Sequence, residues 1–439
     1  MESIIIRIVQ LVLSLSILVI VHEFGHFLFS KLFRVRVEKF YLFFNPWFTL
    51  FKFQPKGSET EYGLGWLPLG GYVKISGMID ESMDREAMAQ PPQPWEFRTK
   101  PAWQRLLIMV GGVLMNFILA FFIYAMVALA WGDAYLPIRN VKMGFSYNEL
   151  TQKGGFENGD IPLTADGVTL DRLNGSTLMA IVDAKEVTVL RNGESVSIQL
   201  PANFNKVLFE KEDNFSMRYP FVIDKINNGT PAKKAGLEKG DSVTGINGNF
   251  DLAINEIQQL LAQNKEKEIT LNLFRHGREM AVAVTPDENG KLGVITKSPY
   301  KIYETVRTQY NFFSAFPAGI RVGIETTKMY VGQLKYIFSK EGAQSLGGFG
   351  TIAGIFPEKW NWLSFWEMTA FLSIMLGIMN LLPIPALDGG HVVFLLYEVV
   401  SGRKPNEKFM EYAQIAGMVF LIALLIYANG NDIFRAFFK

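Results

Sequence analysis

The sequence contains no cysteine. That removes disulfide frames, iron–sulfur clusters, thiolate zinc sites and thiol nucleophiles from consideration. It does not fix a compartment, because an oxidising space permits disulfides without demanding them. Histidine is scarce too, with four among 439 residues. Charge is thin: Asp, Glu, Lys and Arg make up 19% of the chain, against ~25% in ordinary soluble domains. Forty-three basic residues oppose 42 acidic ones and leave a formal net charge of +1, so no long-range field points to nucleic acid as a partner. The 39 glycines and 19 prolines follow no period, which excludes collagen-like repeats. Apolar residues, by contrast, make up 49%, too much to leave the chain disordered.

Much of that apolar content is gathered in four runs, at 4–33, 106–131, 360–382 and 409–428. Each is about the 20 residues that a helix needs to cross hydrocarbon. The first is not expected to be a secretory leader: Glu2 and Arg7 replace a cluster of positive charge, and no small-residue cleavage pattern follows. Arg34, Arg36, Lys39 and Lys52 follow the first run, and Arg403, Lys404 and Lys408 lie between the last two. By the bias of Lys and Arg toward the cytoplasm, those two segments are expected inside, with 132–359 and both termini on the opposite side. Lipid is then the first partner of the chain.

Inside 132–359 the sequence repeats itself. Gly155-Phe156-Glu157-Asn158-Gly159-Asp160 with Asp166-Gly167 matches Gly236-Leu237-Glu238-Lys239-Gly240-Asp241 with Asn247-Gly248, at equal spacing. Short alternating apolar runs follow both copies and end at Arg191-Asn192-Gly193 and Arg275-His276-Gly277, as strands and hairpin turns do. Two copies of one small β-rich module are expected. These runs resemble PDZ domains of the bacterial circularly permuted kind. The second copy is the better match, because Pro231-Ala232-Lys233-Lys234-Ala235 leads into it and the first copy lacks that lead-in. The resemblance implies an extended peptide added at a sheet edge; a spacer or steric filter is the competing role. Residues 301–340 mix apolar and basic positions around Pro317 and read as amphipathic helix at the membrane surface or as a packed helical linker.

The chemistry is concentrated at two places. His22 and His26 are four apart on a helix-forming run, which puts both imidazoles on one face, within reach of one tetrahedral zinc. Glu23 beside them can take a proton from water. Ionisable side chains within a membrane span are costly unless compensated, and metal coordination compensates. A proton relay or an ion site in a transporter is the alternative. A zinc hydrolase needs a third protein ligand. The run Asn380-Leu381-Leu382-Pro383-Ile384-Pro385-Ala386-Leu387-Asp388-Gly389-Gly390-His391 offers Asp388, with His391 competing on chemistry alone. Its prolines break the helix, and such backbone is tolerated at membrane depth only inside protein or beside water.

Together the two motifs resemble the site-2 protease family of intramembrane zinc metalloproteases, and the resemblance covers almost the whole chain. It implies His22, His26 and Asp388 as ligands of Zn2+, Glu23 as catalytic base, and His391 as a neighbour only. It implies that Asn380 holds substrate or stabilises the oxyanion; a helix-end cap is the plain alternative. Gly63 to Gly77 resembles the family's membrane-associated β-hairpin, whose edge, here Gly70, Gly71, Tyr72 and Val73, would bind an unwound substrate strand. Gly111-Gly112-Val113-Leu114-Met115-Asn116-Phe117 resembles the family's run on the second span, with Val113 where proline is frequent. Asn116 is expected to hydrogen-bond near the active site or to link helices.

The expected protein is thus a polytopic α-helical membrane protein of about four transmembrane helices, with a membrane-associated β-hairpin and two inserted β-rich PDZ domains. In order, it has a first span with HExxH (1–34), the hairpin region (35–104), a second span (105–131), two PDZ modules (132–212 and 213–300), a helical linker (301–358), a third span with the late motif (359–400) and a fourth span (401–439). The family implies regulated intramembrane proteolysis in a bacterial inner membrane, with the PDZ modules periplasmic. It also implies single-pass substrates of the anti-sigma-factor type, or signal-peptide remnants, trimmed beforehand on the extracytoplasmic side. A non-catalytic receptor with a structural metal is the competing class, and Glu23 argues against it, since a structural site needs no base.

Overall fold

The computed structural model describes residues 2–78, 90–209, 215–337 and 339–438. It divides into two compact units, one from Met1–Gly132 and Gln309–Lys439, the other from Asp133–Thr308. The boundary expected between the two modules at 212/213 lies outside the described residues.

In the first unit, α1 is Glu2–Leu32, α2 Ala102–Trp131, α3 Phe312–Ile337, α4 Trp362–Leu381, α5 Asp388–Ser401 and α6 Glu407–Phe438. Among the described residues four helices are long and apolar enough to cross a membrane: Glu2–Leu32, Ala102–Trp131, Trp362–Leu381 and Lys408–Phe437. Their ends have local causes. α2 follows Pro101 and stops at Gly132, whose φ of 73° no side-chain-bearing residue adopts easily. Asn361 caps α4 by accepting from the Ser364 N–H. α4 then ends ahead of Pro383 and Pro385, which supply no backbone donors. The 14-residue α5 is ~21 Å long, too short to span.

The helices approach where side chains are missing. A Cβ on Gly25 of α1 would collide with the Gly111 carbonyl of α2, so these backbones touch. Gly319 and Gly323 bring α3 onto Ala125 and Phe121 of α2 in the same way. Within 301–358, α3 is therefore a helix packed along α2. Ala120, Ile123 and Tyr124 of α2 bury against Ala370, Ile374 and Ile378 of α4.

Between α1 and α2 lies a four-stranded sheet of β1 (Val37–Phe44), β2 (Phe51–Phe53), β3 (Glu61–Leu64) and β4 (Leu67–Ile75), in the order β2-β3-β1-β4. This corrects the expected hairpin at Gly63 to Gly77: β3 and β4 do not pair with each other, because β1 lies between them, parallel to β3 and antiparallel to β4. The chain crosses the end of β1 at Gly65, whose N–H donates to the Leu42 carbonyl. A side chain there would strike the carbonyls of Phe43 and Phe44, so the crossover needs glycine. Among the described residues β4 is an edge strand.

The second unit opens and closes on paired strands, Asp133–Tyr135 antiparallel to Val306–Thr308. Between them each repeat copy folds around its own apolar core. The first has the sheet β5 (Ile161–Ala165), β6 (Val168–Thr169), β7 (Glu186–Arg191) and β8 (Glu194–Gln199). The second has β9 (Phe221–Ile226), β10 (Ser242–Ile246), β11 (Ile269–Arg275), β12 (Arg278–Val284) and β13 (Val294–Thr296), in the order β12-β11-β10-β9-β13. The first copy does have a helical lead-in: Asn148 caps the helix Glu149–Lys153 at the place of Pro231–Lys234. The sequence hid it because a different N-terminal device, an Asn cap in place of an early proline, starts the same turn.

The repeat is repeated in its polar contacts. Arg275 Nη2 lies 2.7 Å from Asp241 Oδ2 and 3.0 Å from the Gly236 carbonyl, with Nη1 3.0 Å from Glu238 Oε1. Arg191 makes the same set to Asp160, Gly155 and Glu157 at 2.7, 2.9 and 2.6 Å. Both aspartates are buried. Burial alone would raise the Asp241 carboxyl, but Arg275 and the Glu238 N–H outweigh it and hold it below 3.8. The stability this gives is present at neutral pH and above the ordinary aspartate range, and is lost as pH falls through the depressed value. Arg275→Met should cost about 3 kcal/mol by leaving Asp241 buried and unpaired. It should also flatten the acid limb of the unfolding curve, which urea titrations from pH 2 to 7 would measure.

Candidate metal centre

The site is assembled at the close crossing of α1 and α2. His22 and His26 are both buried on the face of α1 that meets α2. Gly112 leaves room for them: a Cβ there would collide with His26 Nε2 and lie 2.7 Å from His22 Cε1. Their far nitrogens are held by α2. His26 Nδ1 is 2.9 Å from the Ile108 carbonyl, and His22 Nδ1 is 3.0 Å from Asn116 Nδ2.

The third participant arrives from the chain break after α4. Residues 382–387 fold back without helix, and Ala386 is held at a φ of 76°. Gly389 and Gly390 pack on the carbonyl of Leu382 and on Pro385, with no room for side chains. Asp388 is thereby set at the first position of α5, where the helix dipole favours a carboxylate. Its Oδ2 lies 3.1 Å from His22 Nε2 and 3.3 Å from His26 Nε2. Apart from these two imidazoles, this buried oxygen has no hydrogen-bond partner among the described residues. Two imidazole nitrogens and a carboxylate oxygen facing one point, the oxygen otherwise unsatisfied, form a donor set that suits a divalent cation, zinc by ligand type. His391, the competing candidate, is not in this group; its Nε2 lies 3.5 Å from Gln414 Nε2.

The other expected residues sit around the same cleft, of about 640 Å³. Glu23 lines it, together with Gly70, Gly71, Tyr72 and Val73 of β4. Gly71 lets β4 lie against α1, since a Cβ there would be 2.7 Å from Val19 Cγ1. Asn380, in the last turn of α4, turns its amide toward the cluster, with Nδ2 3.4 Å from His22 Nε2. Asn116 combines both expected behaviours: its side chain meets His22, and its backbone carbonyl accepts from Ser373 of α4 at 2.8 Å. The Ile108 carbonyl was not foreseeable, because a backbone group carries no residue signal.

The model of peptidase family M50 matches residues 10–424. The chain is 28% identical over 457 residues to "Regulator of sigma E protease" of Haemophilus influenzae, covering 97% of this chain and 98% of that protein. It is 28% identical over 451 residues to "Regulator of sigma-E protease RseP" of Escherichia coli K12, covering 97% of each. A protein of Neisseria meningitidis carrying the name of a zinc metalloprotease is 27% identical, covering 97% of this chain and 98% of that one. The chain belongs to peptidase family M50. It is a membrane metalloendopeptidase of the site-2 protease class.

The role of Gly112 can be tested without an assay of activity. Gly112→Ala should displace both imidazoles and lower the zinc content at least ~10-fold, measured by metal analysis of purified protein. Unchanged thermal unfolding would show that the helix pair remains intact.

Proposed function

We propose that the chain hydrolyses peptide bonds within the membrane, with His22, His26 and Asp388 as the ligands of zinc. The observation that carries this reading is the convergence of Asp388 Oδ2 on both Nε2 atoms across more than 360 residues of sequence. Zinc in such a site supplies Lewis acidity, lowering the pKa of water toward ~7 and polarising a carbonyl. Glu23 takes a proton from the attacking water and passes it to the leaving amine. The Asn380 amide donates a hydrogen bond to the developing oxyanion. The open edge of β4, at Gly70, Gly71, Tyr72 and Val73, pairs with the substrate. A helical substrate hides its scissile amide, and strand pairing holds it opened.

The substrates are single-pass membrane proteins already shortened on the extracytoplasmic side. The repeated modules act as PDZ domains in the periplasm, either as a size filter or by binding a peptide. In the second module the edge strand β13 and the helix Ile254–Gln263 are the elements such binding uses. The protein resides in the inner membrane, with the sheet and the α5–α6 link on the cytoplasmic side.

Glu23→Gln should cut cleavage of a model membrane substrate by about 10²–10⁴-fold while the protein retains zinc. Asp388→Asn should lose the zinc as well. Cleavage by Glu23→Gln at the parent rate would show that another group is the base. Deleting 140–298 should admit untrimmed substrates; continued rejection of full-length substrate would remove the filter from this account.

A further inference from the structure

The two imidazoles are anchored differently at their far nitrogens. The Ile108 carbonyl, 2.9 Å from His26 Nδ1, can only accept. His26 therefore carries a proton on Nδ1, which in the neutral ring leaves Nε2, 3.3 Å from Asp388 Oδ2, as the ligating nitrogen. His22 meets an amide, which can donate or accept. Asn116 is fully buried, its Nδ2 faces His22 Nδ1 at 3.0 Å, and its Oδ1 has no partner among the described residues.

With Nδ2 donating, His22 Nδ1 must accept, and the ring proton sits on Nε2, 3.1 Å from Asp388 Oδ2. A ring protonated there cannot ligate through that atom. Turning the amide by 180° exchanges two groups of nearly equal size. Oδ1 then accepts from His22 Nδ1–H, and the Nε2 lone pair faces the cluster. Each orientation leaves one amide atom unmet, so satisfaction of hydrogen bonds favours neither. The Asn116 backbone carbonyl accepts from Ser373 at 2.8 Å, which anchors the residue on α4 whichever amide atom faces His22.

We propose that Asn116 is the positioning residue that sets the tautomer of His22, its amide oxygen accepting from Nδ1–H so that the Nε2 lone pair is free for the cation. This rests on the ligand reading above. His26 then takes its tautomer from a backbone carbonyl, and His22 takes its own from a side chain.

The test uses the full-length chain in lipid nanodiscs, stripped of metal and titrated with Zn2+ against a chelating dye and with Co2+ by its visible absorption. Asn116→Leu should weaken both metals by about 10–100-fold, whereas Asn116→Asp, which can only accept, should stay within ~3-fold of the parent and keep the Co2+ band shape. Ser373→Ala should bind as the parent does, which separates the amide from simple helix packing. An Asn116→Asp variant that loses affinity tenfold or more would overturn the proposal, since His22 would then need a donor; so would an Asn116→Leu variant that binds as the parent does. His22→Ala and Asp388→Asn test the ligand set separately, and retention of metal by both would overturn that set and this inference with it.

Discussion

Backbone contact between α1 and α2 is the constraint on which the rest of the first unit depends. Gly25 and Gly111 lie carbonyl against Cα, so the two helices meet backbone to backbone. At that separation the positions of α2 spaced by four, Ile108, Gly112 and Asn116, stand opposite His26, Gly25 and His22 of α1 in turn. Four-residue spacing on both helices is the ridge pattern by which helices interlock. Each α2 position does one thing for the imidazoles. Ile108 and Asn116 hold their outer nitrogens, and Gly112 gives their rings room.

Lipid makes this arrangement stricter. In water a misplaced imidazole can be solvated, but within a bilayer every polar atom must find a partner in the protein. The cluster meets that demand almost completely. Among the described residues, Asn116 Oδ1 is left without a partner and Asp388 Oδ2 has none beyond the two imidazoles, both in or beside the converging set. The chain break at 382–387 serves the same end. It frees a helix start at depth, and the carboxylate at that start lies where the helix dipole stabilises it.

Helical period alone brings His22 and His26 onto one face, and the prolines before Asp388 announced a break. That Asp388 meets those imidazoles, as the structure has it, came from the chemistry of a third ligand and from the family resemblance, since no spacing records a contact across so many residues. The two modules were visible because their turns recur at equal spacing. Arg191 and Arg275 stood in the quoted turns, but their partners did not declare themselves. The signal was an Asp in a repeated Gly-Asp turn that must be buried and therefore paired. Strand order escaped because β1 inserts between strands adjacent in sequence, and nothing in a period of two records which neighbour a strand chooses. The lead-in to the first module escaped because two unrelated residue patterns start the same short helix.

The edge of β4 and the cluster share one cleft, and they have a physical reason to do so. A strand paired on one side only exposes backbone donors and acceptors along the other. Facing hydrocarbon, those groups would each cost several kcal/mol, so such an edge is tolerated only against protein or water. A cleft that hydrates the edge would also carry water to Glu23 and to the donor set. On the proposed reading, a substrate strand that replaced that water along β4 would supply the same hydrogen bonds, and the reactant water would enter where the strand does not cover the cleft, beside Glu23.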